Sequence, residues 1–401
     1  MQATRPPARG PSRVAASKMA ASGERLRVLL FSNSIAIGGM EEHIRLLAAY
    51  LDRNQFEVFA VWPDSEATEA FNRAMQDVTD HMALVTPDRR HGVWRQCLEL
   101  WRLYRVLRSW RIQVMHMHST TYRGQQLAFA AARIAGVRRV YVTEHGAPHE
   151  RLPLLERISR NAFTVASDGI VCVSEKNLVA RQKFIYTPKD RTFLVPNGVD
   201  VGAFPPIPRA ELATLREELG IPADARIIGT VVRFEPDKRL DVLLDAFPAI
   251  RLSCPSAHLL LVGDGSLRPD LEAQAASLGL TNCVHFTGFQ SNPKPFLGLM
   301  DAFVLPVPIG SMSIGLLEAM AMARAVVMTF GWKGEAVVHG VSGFCAEPND
   351  AASIAKHVTA ILADETLQRS LGVAARKRVE ESFSARRVAQ DLGSLYLRGT
   401  I

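Results

Sequence analysis

LRVLLFSNSIAIGGMEEHIRLLAAY, residues 26–50, carries the pattern that decides the fold. A short apolar run, Leu26–Ser32, gives way to a turn with two adjacent glycines and then to a longer helical stretch. The alternation continues along the chain. Further strand candidates are Phe56–Val61, Gln113–Met117, Arg139–Thr143, Gly169–Val173 and Thr192–Val195, with helical stretches between them. The second half repeats the style at Arg226–Val232, His258–Val262, Val284–Phe286, Ala302–Leu305 and Ala325–Thr329. Strands alternating with helices imply parallel sheets covered on both faces. Between the halves, Pro196–Pro208 reads PNGVDVGAFPPIP, a breaker-rich boundary. A chain of 401 residues exceeds what one hydrophobic core serves, so two doubly wound α/β domains are expected. Ligands in such sheets sit beyond the carboxyl ends of the strands, where helix N-termini favour anions.

Composition narrows the function classes. At 48% hydrophobic and 22% charged residues, the chain is globular and not disordered. A formal net charge of +7 favours anionic partners: nucleotide phosphates, a lipid surface or nucleic acid. The five cysteines are scattered and lack C-x-x-C spacing, which reads as reduced thiols without a zinc site. Met1–Glu24 is rich in Arg, Pro, Ala and Ser and reads as a disordered basic tail or an over-long start, and it makes a poor secretory signal. No apolar run is long enough to span a bilayer, so membrane contact would be peripheral.

Four motifs carry chemistry. The pair Gly38-Gly39 lets backbone approach a ligand at a helix N-terminus, although an ordinary tight turn explains it equally well. His116 and His118 in MHMHS share one face of a strand. A metal is conceivable there, but no third ligand is apparent nearby. One of the pair reads as a hydrogen-bonded core histidine, and His118 is the better cleft residue. In VVRFEPDK, Arg233 ends a strand and Lys238 opens the next helix, a fork and a point charge suited to a diphosphate. Two solvated surface cations are the ordinary alternative. In the loop and helix from Pro308 to Met320, Glu318 is a lone acid among Leu, Ala and Met. Its burial is costly unless it accepts hydrogen bonds, from sugar hydroxyls or from a local partner.

Together these motifs resemble the large family of retaining GT-B glycosyltransferases of family 4, the group 1 type. GGME, HMHS, TEHG (143–146), VCVSE (171–175), VPNGVD (195–200), RFEPDK, LLLVGDG (259–265), HFTGF (285–289) and LLEAMA (316–321) fall in family order from about Arg27 to Tyr396. The resemblance implies two facing Rossmann-like domains with a cleft between them. The expected division is a tail over 1–23, an acceptor-side domain over 24–200, a nucleotide-sugar domain over 201–383, and a last helix over 384–401 returning to the first domain. It assigns Gly38 and Gly39 to the loop over the donor phosphates. His118 matches the histidine on the donor sugar, Arg233 and Lys238 the diphosphate pair, and Glu318 the acid on the nucleotide ribose. The backbone near Phe289 resembles the segment beside the nucleobase, Ser313 and Ile314 join the donor contacts, and Glu144 and His145 are acceptor-side candidates. No cofactor and no metal are expected.

The sequence departs from the family at Gly310, where a glutamate usually contacts the transferred sugar; Ser311 or Ser313 are candidates to compensate. The family often has paired glycines where Gly331 and Trp332 stand, so Trp332 is a bulky departure, and Lys333 adds charge beside it. The implied reaction moves a sugar from a nucleotide-diphosphate-sugar to a hydroxyl with retention, and the sequence shows no glycosidase-type carboxylate pair. A glycan, a lipid-linked precursor or a small molecule would serve as acceptor. Residues 89–111, RRHGVWRQCLELWRLYRVLRSWR, read as a basic helix with an apolar stripe at Cys97, Leu100, Tyr104 and Leu107. It suits either an anionic membrane surface or an ordinary domain helix. No nucleic-acid motif is present. Expected localisation is cytoplasmic, with peripheral contact at the inner membrane face. Two alternatives stand beside the transferase: a catalytically impaired nucleotide-sugar-binding protein, and a different GT-B enzyme such as an epimerase.

Overall fold

A computed structural model describes residues 24–35, 38–86, 92–119, 125–146, 152–307, 312–329 and 336–399, except for the side chain of Val93. The tail over 1–23, the departures at Gly310 and Trp332, the compensating candidate Ser311 and the neighbouring Lys333 lie outside the described residues. The chain divides into two compact units. The first runs to Pro196 and resumes at Ala385; the second spans Asn197–Ser384.

The first unit contains β1 (Leu26–Phe31), α1 (Gly39–Tyr50), β2 (Phe56–Trp62), α2 (Glu69–Gln76), β3 (His81–Leu84), α3 (Gly92–Ser109) and β4 (Val114–Ser119). It continues through α4 (Gln125–Ile134), β5 (Arg139–Glu144), α5 (Leu154–Ala166), β6 (Gly169–Cys172), α6 (Glu175–Phe184) and β7 (Thr192–Leu194). Its strands form one sheet in the order β3-β2-β1-β4-β5-β6-β7, and every pairing is parallel. Central strands are buried almost throughout because helices cover both faces. Alternation along β1 sends Val28 and Leu30 into one apolar cluster and Leu29 and Phe31 into the other.

The second unit holds α7 (Ala213–Glu218), β8 (Arg226–Val231), α8 (Leu240–Ser253), β9 (Ala257–Val262), α9 (Arg268–Ser277), β10 (Val284–Phe286) and α10 (Lys294–Leu299). After these come β11 (Ala302–Leu305), α11 (Ile314–Ala321), β12 (Ala325–Thr329), β13 (Phe344–Ala346), α12 (Ala351–Ala363) and α13 (Glu365–Ser382). Its sheet runs β10-β9-β8-β11-β12-β13, again parallel throughout. The edge strands β3 and β13 escape the sequence reading. They are short, only part-buried, and lack the continuous apolar run that marks the central strands.

The last helix, α14 (Ala385–Arg398), packs in the first unit. Val388, Ala389, Leu392, Leu395 and Tyr396 form its apolar stripe and join the cluster of Val28, Leu30 and Phe56. Arg139 Nη1 donates to the Tyr396 carbonyl at 2.7 Å, and Tyr141 Oη to the Leu395 carbonyl at 3.1 Å. In α3 the sequence stripe holds at Leu107, which is buried, and at Tyr104, which packs on the core, and fails at Cys97, which is exposed. Leu103 is also buried, and so is the lone acid Glu99, which accepts from the Thr86 amide at 3.1 Å and from Arg102 at 2.8 Å. Trp94, Leu98 and Trp101 are exposed.

Candidate active site

In each unit the strand order reverses beside the first strand: between β1 and β4, and between β8 and β11. These are the switch points at which open parallel sheets bind ligands. The candidate residues gather at the carboxyl ends of those strands.

In the first unit, Gly38 caps α1 with an extended φ of −175° and no side-chain capping bond. A Cβ there would meet nothing closer than Glu41 Oε2 at 3.6 Å, so neither backbone conformation nor packing requires glycine. What glycine leaves is a bare helix N-terminus. Gly38 and Gly39 are both exposed. Beside this loop, β4 and β5 pair in register His118↔Thr143 and Ser119↔Glu144, which carries His145 past the sheet edge next to His118.

The two strand histidines differ. His116 has both nitrogens engaged, Nδ1 with the Tyr396 hydroxyl and Nε2 with Thr143 Oγ1 at 2.7 Å. It is a structural histidine. His118 is fully buried; its Nδ1 lies 3.2 Å from His145 Nε2, while its Nε2 is buried without a partner. Gln125 Nε2 donates to the His118 carbonyl at 2.7 Å and fixes the strand end. His43 from α1 completes the group. Its ring lies 5.6 Å from that of His118 and 5.0 Å from that of His145, and its Nε2 is also buried and unpartnered. Burial is the main reason these imidazoles stay neutral. It lowers His43 to about 4 and, with the field of His43, His116 to about 3. It takes His118 and His145 well below the ordinary value, helped by the neighbouring rings.

Sequence reasoning missed His43 altogether and saw no third ligand near the strand pair. His43 lies in a different element, and no local spacing announces it. Glu144 is buried, and its Oε1 accepts from Arg181 of α6, itself fully buried. Burial pushes the Glu144 carboxyl up to about 8, partly offset by Arg160, and the Arg181 guanidinium down to about 10. Thr164 Oγ1 accepts from the same guanidinium. Glu144 thus joins strand to helices inside the unit.

In the second unit, Arg233 follows β8 and is exposed, and its guanidinium has no hydrogen-bond partner among the described residues. Lys238 is part-buried, with its Nζ 2.7 Å from Asp237 Oδ2. The loop between them is shaped by close backbone approach. Phe234 is fully buried, and its amide donates to the Asp264 carbonyl at 2.9 Å. A Cβ on Gly263 would lie 1.9 Å from the Val232 carbonyl oxygen, and one on Gly265 would lie 2.5 Å from that of Phe234. Both glycines of LLLVGDG are therefore steric requirements of the cation-bearing loop. The other end is pinned by Arg239, whose φ of +52° is costly for a side-chain-bearing residue. Its guanidinium bonds Asp241 at 3.0 Å and also Asn349, another residue at positive φ. Arg239 and Asn349 are not legible in the sequence.

Helix α11 starts against this loop: a Cβ on Gly315 would come 2.7 Å from the Val231 carbonyl oxygen. Ser313 caps the helix without a side-chain capping bond, Ile314 opens it, and Glu318 lies one turn inside and is buried. Phe289, beyond β10, is 70% exposed, an aromatic face held out beside the bridge of Gly263 to Gly288. The unit thus offers an unpaired guanidinium, an ammonium, an uncapped helix start, a buried acid and an exposed aromatic ring. Those suit, in turn, a diphosphate, a ribose and a base.

Comparison with known proteins identifies the family. The family described as "Glycosyltransferase Family 4" matches residues 37–203, and that described as "Glycosyl transferases group 1" matches residues 225–364. The N-acetyl-alpha-D-glucosaminyl L-malate synthase of Bacillus anthracis is 26% identical over 300 residues, covering 74% of this chain and 77% of that protein. A GDP-mannose-dependent phosphatidylinositol monomannoside mannosyltransferase of Mycolicibacterium smegmatis is 30% identical over 257 residues, 61% of this chain and 66% of that one. Among solved structures, Anabaena HepE in complex with UDP and glucose superposes with a TM-score of 0.79 at 20% identity, covering 92% of this chain and 99% of HepE.

Proposed function

We propose, from the premise that this chain belongs to the family 4, group 1 glycosyltransferases and has their GT-B fold, that it transfers a sugar from a nucleotide-diphosphate-sugar to an acceptor hydroxyl with retention of configuration. The observation that carries the proposal is Arg233, an exposed guanidinium unpaired among the described residues at the switch point of the second unit, with Lys238 five residues on. As the bond from the sugar to the diphosphate breaks, charge grows on the leaving oxygen, and these two cations stabilise it without reorganising. The acceptor oxygen attacks on the face the diphosphate leaves, and the leaving phosphate takes its proton. Arg233 and Lys238 meet the diphosphate charge, so the step needs no metal ion at the phosphates. Glu318 holds the ribose, Ser313, Ile314 and the segment of Phe289 complete the nucleotide contacts, Gly38 and Gly39 serve the donor phosphates and acceptor, and His118 serves the sugar. Glu144 belongs to the scaffold.

The acceptor we infer is a lipid-linked or cell-envelope glycan precursor, approached at an anionic membrane surface. Among the described residues no helix is long and apolar enough to cross a membrane. Helix α3 instead exposes Trp94 at 91% and Trp101 at 53%, with Arg105 stacked 4.9 Å over the Trp101 ring and Arg95, Arg102 and Arg108 also exposed. Indoles flanked by arginines suit an anionic interface. Co-sedimentation with phosphatidylglycerol vesicles, lost on joint Trp94→Ser and Trp101→Ser substitution and absent with neutral vesicles, supports this; equal binding to both vesicles refutes it.

One observation favours the impaired-binder alternative: Gly310 replaces the glutamate usual in the family. Thermal-shift screening against UDP, GDP, ADP and dTDP, then their sugars, decides the main reading. A ligand at a hundredfold its Kd adds about 2.7 kcal/mol to the native state. Stabilisation by one nucleotide that is lost in Arg233→Ala supports the donor site. Stabilisation without turnover, restored by Gly310→Glu, favours the impaired binder, and no stabilisation by any nucleotide sinks both.

A further inference from the structure

At the amino edge of the first sheet, opposite the histidine group, lies a cavity of about 400 Å³. Arg27, Gln113 and Arg138 line it from the starts of β1, β4 and β5, Arg108 and Arg111 from the end of α3, and Glu24 from the segment before β1. A cavity of this size holds a small ligand. Strands β4 and β5 are six residues long, about 20 Å, so a ligand that fits here does not reach the carboxyl edge.

The lining charge is one-sided: four guanidiniums against a single carboxylate. Arg27 is already engaged, with Nε 3.1 Å from Glu57 Oε2 and Nη1 3.3 Å from the Trp110 carbonyl. Arg108, Arg111 and Arg138 are exposed, and their guanidiniums have no hydrogen-bond partner among the described residues. Elsewhere in the unit arginines find carboxylates, as Arg53 does at Asp80 and Arg133 at Asp168, each at 2.7 Å. Residues 1–23 contain no Asp or Glu, so the chain leading into Glu24 brings no counter-ion. Gln113 Oε1 accepts from the Arg27 amide at 2.9 Å, which leaves its side-chain NH2 as a further donor.

One of these arginines is held against a backbone cost. Helices α3 and α4 are closed by the same turn: the Ile112 amide donates to the Leu107 carbonyl at 3.1 Å, and the Val137 amide to the Ala132 carbonyl at 3.0 Å. The left-handed residue in that turn is Gly136 after α4, at φ +84°, and Arg111 after α3, at φ +50°. Glycine adopts this conformation freely and arginine does not. A Cβ on Gly136 would come 3.9 Å from Arg108 Nη1, so the two helix ends meet beside the cavity. The negative ends of the helix dipoles favour a cation in the last turn, which accounts for Arg108. They do not require one at the position that prefers glycine.

We propose that this cavity binds a phosphate monoester carried on a polyol, either a soluble sugar phosphate or the phosphorylated headgroup of a lipid, at a site separate from the transfer reaction. Guanidiniums grip phosphate oxygens in planar forks and stay charged at every working pH. Glu24 accepts from a polyol hydroxyl, and the Gln113 amide donates to one.

The test uses the full chain. Glucose 6-phosphate is titrated by calorimetry, and phosphatidylcholine vesicles containing phosphatidylinositol 4-phosphate are co-sedimented. Saturable binding of glucose 6-phosphate at one site per chain assigns the soluble ligand. Vesicle binding that needs the 4-phosphate, and is absent with phosphatidylinositol, assigns the headgroup. In whichever arm binds, Arg111→Gly and Arg138→Gln each weaken binding about tenfold or more, the scale for one charged hydrogen bond. Arg157→Gln, at an exposed arginine of α5 outside the cavity, leaves it unchanged. Arg111→Gly also frees the left-handed backbone, so its thermal midpoint stays close to that of wild type and lost binding is not lost fold. Binding retained in Arg233→Ala separates the site from the donor site. No saturable binding in either arm overturns the proposal, and so does binding that survives Arg111→Gly and Arg138→Gln or that Arg233→Ala abolishes.

Discussion

At the carboxyl edge of the first sheet, two buried imidazoles and a half-buried third face one another, and Glu144 is paired with a fully buried arginine. At the same edge of the second sheet, Arg233 is exposed, and the charges around it, such as Arg268 with Asp264 and Glu272, are paired near solvent. One topology has been given two electrostatic characters. The first unit works by desolvated, neutral, geometrically fixed groups. The second works by accessible charge on a loop whose shape is dictated by the glycines at 263 and 265. Buried groups are worth much to stability and respond little to salt; exposed charges are worth little to stability and much to an incoming anion.

The largest effect expected from this contrast is on folding. Glu144→Ala leaves Arg181 buried without its carboxylate, and breaking a buried pair costs about 3–5 kcal/mol. Urea unfolding should show that loss, whereas Asp264→Ala, at the surface of the second unit, should barely move the midpoint. Equal effects would erase the contrast between the two sheet edges.

Next is catalysis. Arg233→Ala should slow transfer by about a hundredfold or more while leaving the unfolding curve unchanged, the scale for losing one preorganised charge-stabilising group. Near-normal transfer at saturating donor would remove Arg233 from the chemistry.

A smaller effect concerns acid. In the second unit, burial and then the neighbouring His258 lower His285 from 6.5 to about 4. As pH falls below about 6.5, the unfolded chain takes up the proton first. The contribution to stability is therefore complete above that pH and is lost progressively toward 4. His285→Asn should flatten the acid limb of unfolding midpoint against pH, and an unaltered slope would mean that this pair does not titrate on unfolding. The smallest effect is on binding. Added salt should weaken nucleotide binding to the second unit, as titrations at two ionic strengths would show, and an unchanged affinity would take exposed charge out of that site.

Much of this contrast is legible in the order of residues alone. The alternation that begins at Leu26 marks the strands of both sheets apart from β3 and β13, whose few part-buried residues leave no run to recognise. Arg233 and Lys238 are readable because five residues of one loop are local in the chain, and so are Gly38 and Gly39. Periodicity places most of the apolar face of α3; it misses the exposure of Cys97 and the burial of Glu99, whose partner Thr86 lies outside the helix.

Local order along the chain is enough for the two α/β units and the loops that follow their strands, because periodicity and turn chemistry act over a few residues. Which loops meet is a matter of the folded molecule. His43, His118 and His145 come from three elements, and it is the neighbouring order of β1, β4 and β5, with the parallel register of His118 on Thr143, that brings them into one group. Likewise Gly263 and Gly265 are required because another backbone passes where a Cβ would stand, and Gly263 also because its φ is +138°. Proximity across long loops is set by strand order and close packing, and neither is written in any single stretch of the chain.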